Sequence, residues 1–92
     1  MVARFIAKAG KETQVKQELM KLLAPTRAET GCLNYDLHES TGKAGQFLFH
    51  ENKTSKDALD LHLQTPRLKN FLGQADQLLA EPVAISLWQQ IE

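Results

Sequence analysis

The chain has 92 residues, 42% of them hydrophobic and 24% charged, which suits one globular domain spanning 1–92. Eleven basic and eleven acidic side chains cancel, so no net field draws it toward nucleic acid or anionic lipid. No apolar run approaches the ~20 residues of a membrane span. The first eight residues lack the order of a secretory signal, and the single cysteine, Cys32, forms no internal disulfide. Together these features predict a cytoplasmic protein.

Residues 2–7 (Val-Ala-Arg-Phe-Ile-Ala) are short, apolar and partly β-branched, and predict a strand. Beyond Lys11, Val15, Leu19, Leu22 and Leu23 form a helical stripe. Pro25 removes one backbone bond inside that stripe and should kink or split the helix. Gly31 can supply a left-handed cap.

Residues 32–39 alternate, with Leu33, Tyr35 and Leu37 on one side and Asn34, Asp36 and His38 on the other. Residues 40–45 read as a turn and residues 46–51 as the returning strand. A turn centred near Lys43 sets Tyr35 opposite Glu51, Leu37 opposite Phe49, and Glu39 opposite Phe47. One face then carries Leu33, Tyr35, Leu37, Phe47, Phe49 and Glu51.

Residues 55–63 predict a short helix that stops at Thr65-Pro66. Threonine can cap the next helix and proline suits its first position. Residues 66–79 carry the longest stripe, Leu68, Phe71, Leu72, Ala75, Leu78 and Leu79. After Glu81-Pro82, residues 83–91 predict a last strand.

The order βαββαβ predicts an α+β, ferredoxin-like fold: a four-stranded antiparallel sheet with both helical layers on one face. The outer-numbered strands are apolar at both parities, Val2 and Ile6 against Ala3 and Phe5, and Ile85 and Leu87 against Trp88. The bare face therefore needs a cover, and the economical cover is a second copy, giving a homodimer.

Glu51, His62 and Arg67 form a small polar kit around one strand-to-helix corner, in an apolar neighbourhood. Each also has a plainer reading: a strand-end carboxylate, a structural histidine, a solvated arginine. Tyr35 and Trp88 read first as core aromatics, and Cys32 as a small hydrophobe. His38, His50 and His62 lack metal-ligand spacing, so no metal is expected. No phosphate-cradling glycine pattern or activated nucleophile is present. The strand order also occurs in RNA-recognition domains, but Phe47-Leu-Phe49 only faintly echoes their aromatic motif.

Four stretches resemble the antibiotic biosynthesis monooxygenase family, small dimeric α+β-barrel proteins that include quinol monooxygenases. They are Ala7-Lys-Ala-Gly10-Lys-Glu, Arg27-Ala-Glu29-Thr-Gly31-Cys32-Leu-Asn-Tyr35, Phe47-Leu-Phe-His-Glu51 and His62-Leu-Gln-Thr-Pro66-Arg-Leu-Lys69. The resemblance implies a dimer joined through its sheets and one pocket per subunit. It also implies oxygenation of a small phenolic or quinol-like aromatic by dioxygen, with no cofactor. In that reading His62 is the base or orienting group, Tyr35 and Glu51 position it or the substrate, and Arg67 stabilises negative charge. Phe49 and Trp88 would line the substrate. The chain departs from the family pattern at Lys53, where relatives often carry an aromatic, and at Arg67, where they often carry histidine. Cousins that isomerise small sugar-like signalling molecules, and a non-catalytic dimeric ligand-binding domain, remain the alternatives.

Overall fold

Alternating side chains in the central hairpin set the sheet, and the rest of the chain packs against it. The computed structural model describes residues 1–91; Glu92, the last residue of the expected domain, lies outside the described residues. The elements are β1 (Val2–Ile6), α1 (Glu12–Lys21), α2 (Leu23–Arg27), β2 (Cys32–Glu39), β3 (Gln46–Lys53), α3 (Lys56–Leu63), α4 (Pro66–Gly73), α5 (Ala75–Leu78) and β4 (Ala84–Ser86). The sheet is antiparallel in the order β2-β3-β1-β4, the ferredoxin-like arrangement that the element order implies.

The hairpin register is the one the alternation predicts: Tyr35 pairs with Glu51, Leu37 with Phe49 and Glu39 with Phe47. Leu33 departs from it. A bulge between Cys32 and Asn34 lets Cys32 pair with Lys53, so Leu33 is displaced from the Tyr35 face and is exposed. β3 runs two residues past the expected end, and carries Lys53 onto the same face as Glu51.

Ala3, Phe5, Tyr35, Phe47, Phe49 and Glu51 are buried on the covered face, against Val15 and Leu19 of α1 and Leu68 and Phe71 of α4. Phe5 meets Phe49 and Phe71 edge-on at 5.8 and 5.6 Å, and Tyr35 stacks on Phe49 at 4.3 Å. The opposite face bears Arg4, His38, His50 and Asn52, with Val2, Ile6 and Leu48 half-buried among them.

Pro25 splits the first helix as expected. Its ring cannot share the i−4 carbonyl of Lys21, and the break falls at Leu22. Gly31 does have a left-handed backbone, φ +87°, but it lies three residues beyond the Ala28 cap of α2. A Cβ there would stand 2.8 Å from both Ala58 Cβ and Thr54 Oγ1.

Two elements are shorter than expected. The helix expected over 66–79 breaks at Gln74, after the helix-weakening Gly73. The last strand holds three residues instead of nine. Ser86 pairs with Val2, the first residue of β1, so nothing remains for later residues to pair with. Leu87, Trp88 and Ile91 are consequently exposed, and Trp88 is not a core aromatic. Among the described residues no helix is long and apolar enough to cross a membrane.

Candidate active site

The site forms where α3 crosses the β2–β3 face. Ser55 starts α3 by accepting from the Ala58 N–H at 3.2 Å. Thr65 is the N-cap residue of α4, but its hydroxyl makes no capping bond; it donates instead to the His62 carbonyl at 2.9 Å, and Pro66 then opens the next helix. His62 is thereby fixed in the last turn of α3, and its side chain is 2% exposed.

The imidazole lies between two carboxylates. Nδ1 is 3.0 Å from Glu29 Oε1, and Glu29 is also clasped by Arg67 Nη2, which reaches Thr26 Oγ1 at 3.5 Å. On the other side, Nε2 is 3.5 Å from Glu51 Oε1, too long for a hydrogen bond. Lys53 Nζ approaches the same oxygen at 3.7 Å, Cys32 Sγ at 3.6 Å, and the Tyr35 ring centroid at 5.0 Å. Glu51 Oε1 is buried and has no hydrogen-bond partner among the described residues.

These contacts assign the protons. Burial, reinforced by the Lys53 ammonium, pushes the His62 pKa down to about 4, so the ring is neutral near pH 7. A neutral imidazole has one N–H, and the Glu29 carboxylate at Nδ1 claims it; Nε2 keeps its lone pair facing Glu51. Burial pushes the Glu51 carboxyl up, while Lys53 opposes. Both shifts run toward the neutral form of each group. Burial, followed by the Glu51 charge, holds the Tyr35 phenol well above its ordinary range, so Tyr35 stays protonated and does not serve as a base.

Glu51 and His62 border an inner cavity of about 30 Å³ with Tyr35, Phe49, Leu68 and Ile85. It has room for about two waters. The structure thus brings His62, Tyr35, Glu51 and Phe49 together. Arg67 lies behind His62 on the Glu29 side and does not line the cavity, which corrects its expected contact with substrate. Trp88 stands outside it, 73% exposed, with its Nε1–H on Ser86 Oγ at 2.7 Å.

Sequence reasoning missed three residues of the network. Glu29 and Thr26 reach the site from α2 and its loop. Lys53, a departure from the family pattern, has a buried side chain, 4% exposed; its parity with Glu51 is the available signal. Among the described residues no group of three His, Cys, Asp or Glu could hold a metal ion.

Comparison with known proteins agrees with this architecture. Residues 1–74 match the family described as Antibiotic biosynthesis monooxygenase. A Mycobacterium tuberculosis protein named "Putative monooxygenase Rv0793" is 36% identical over 87 residues, 95% of this chain and 85% of that protein. Its solved structure superposes with a TM-score of 0.86, covering 99% of this chain and 95% of that one. The crystal structure of PA3566 from Pseudomonas aeruginosa gives a TM-score of 0.89 at 33% identity, covering 97% and 90%. The Synechocystis protein sll1783, described as uncharacterized, is 35% identical over 81 residues, 84% of this chain and 55% of that one; the chain spans about half its length.

Proposed function

The chain belongs to the antibiotic biosynthesis monooxygenase family, and from that premise we propose that it oxygenates a small phenolic or quinol-type aromatic with dioxygen and no bound cofactor. The observation that carries the reading is the Glu51–His62 pair: a buried carboxyl oxygen with no hydrogen-bond partner, 3.5 Å from Nε2 of a neutral imidazole, beside an apolar cavity. A phenol of pKa about 10 yields little anion at neutral pH. The pair accepts its proton, Glu29 at Nδ1 stabilises the imidazolium that forms, and the Lys53 ammonium favours the phenolate. The anion then reduces dioxygen. For a hydroquinone one oxygen atom enters the ring, the other leaves as water, and the product is a hydroxyquinone; the ring supplies all the electrons.

The same proposal includes a homodimer. Helices cover one face of the sheet, while Val2, Ile6 and Leu48 interrupt an otherwise polar open face, and Leu87 and Ile91 are exposed beside β4. Light scattering at micromolar concentration should give twice the chain mass, and a folded monomer would refute that part.

One observation favours a second reading, a non-catalytic ligand-binding domain: the 30 Å³ cavity is too small for an aromatic ring. Oxygen uptake with a panel of hydroquinones separates the two. Uptake stoichiometric with ring hydroxylation supports the oxygenase; saturable binding without uptake supports the binding domain. Arg67, which could suit an anionic substrate of the isomerase alternative, is engaged by Glu29.

A further inference from the structure

The wall of the inner cavity is almost wholly carbon. Among the described residues that line it, Tyr35, Glu51 and His62 alone carry a side-chain oxygen or nitrogen, and Nδ1 of His62 is turned to Glu29. Ala3, Phe5, Phe49, Leu68, Leu72 and Ile85 offer a water molecule nothing. An ordered water needs about two to four polar partners, so most of this void suits an apolar occupant. Its 30 Å³, room for about two waters, is also room for one diatomic molecule. Ile85 pairs with Ala3, whose side chain is buried under the helices, so Ile85 faces the helical side and not the open face of the sheet. Leu72 and Ile85 are exposed, and rotation of such side chains is enough to admit a gas.

We infer that this void is a binding site for dioxygen itself, and that the aromatic ring stays outside it. The inference rests on the proposed oxygenase reading and gives its two substrates separate places. Dioxygen has no hydrogen bond to lose on leaving water, and transfer to an apolar wall favours it. The gas is then held against the Glu51–His62 pair that takes the proton of the phenol. A volume that excludes a ring is the volume a diatomic ligand requires.

Dioxygen is paramagnetic and speeds the relaxation of nearby protons, so its position can be read under oxygen pressure with no substrate present. The methyl groups of Ala3 and Leu68 line the void; those of Val15 and Leu19 are also buried but do not. Oxygen should speed relaxation several-fold more at the first pair than at the second, relative to a deoxygenated sample. Ala3→Val puts two more methyl groups into the void, on a strand where valine is favoured. It should abolish that difference and raise the KM for dioxygen about fivefold more than the KM for hydroquinone, the scale of mild overpacking. A melting temperature at or above the parent's shows that the variant is folded. Leu72→Phe, at an exposed position on the same wall, repeats the test should Ala3→Val not fold. Equal enhancement at all four residues of the parent would overturn the inference, as would a folded variant in which the hydroquinone KM rises more than that for dioxygen. Oxygen uptake assayed in parallel keeps the two readings apart. Uptake with equal enhancement refutes the gas site and leaves the oxygenase; local enhancement with no uptake refutes the oxygenase and leaves an apolar gas site.

Discussion

The two nitrogens of His62 look onto two carboxylates in opposite conditions. Glu29, on the Nδ1 side, is fully engaged: it accepts from the imidazole and from Arg67, and Arg67 in turn reaches Thr26. Glu51, on the Nε2 side, is more deeply buried, yet one of its oxygens has no hydrogen-bond partner. A carboxylate held from two sides fixes geometry, although Arg67 Nε in that network is also buried without a hydrogen-bond partner; an unsatisfied buried carboxyl oxygen beside a cavity is costly unless something else uses it. The back of the imidazole thus serves orientation and the front serves chemistry. Acid and support are separated by the width of one ring.

That contrast can be broken most directly at the front. Glu51→Gln keeps the shape and removes the proton relay, and should lower turnover by roughly 10²–10⁴-fold, as His62→Ala should. Oxygen uptake is the measurement, with thermal melting alongside. A folded Glu51→Gln variant that turns over normally would erase the distinction between the two carboxylates.

At the back the expected signature is stability. Glu29→Gln strips Arg67 of its anion and His62 of its orienting acceptor, and should cost roughly 2 kcal/mol in urea unfolding. Turnover should fall by only about tenfold, in the range of a lost orienting partner. A larger loss of turnover than in Glu51→Gln would reverse the assignment of front and back.

A pH experiment sharpens the comparison. The unfolded chain binds a proton on His62 near 6.5, while the folded imidazole resists it until about 4. Stability from the neutral ring is present above 6.5 and is lost as pH falls toward 4. Measured against His62→Gln, the parent should lose on the order of 1–3 kcal/mol across that window. The difference isolates His62 from Glu51, whose raised pKa works in the opposite sense. A parent-minus-variant difference that grows on acidification would mean Glu29 outweighs burial.

The smallest effect belongs to Trp88. It is exposed and outside the core, so Trp88→Leu should change stability by less than about 0.5 kcal/mol. A larger loss would place Trp88 in a packed interface.

The front of the site was legible because it is built on a hairpin. A period of two with one apolar face leaves a single register, and that register pairs Tyr35 with Glu51. The back was not legible. Glu29 lies in a loop before a glycine, where a carboxylate ordinarily faces water, and its partner is 33 residues away in sequence. Arg67 was read as awaiting an external anion because nothing local shows that the chain supplies one. The overlong last strand fails for a related reason: apolar residues continue past Ser86, but strand length is decided by where β1 runs out.

Gly31 ties these parts together. Its missing side chain allows the loop that carries Glu29 to touch the first turn of α3 at Ala58, one helical turn before His62. The Thr54 N–H donates to the Gly31 carbonyl at 2.8 Å and locks that contact. The spacing between the loop that carries Glu29 and the helix that carries His62 is consequently gauged by main chain. A clearance of one methyl group acts as the ruler, and through it the backbone sets how near the loop of Glu29 comes to the helix of His62.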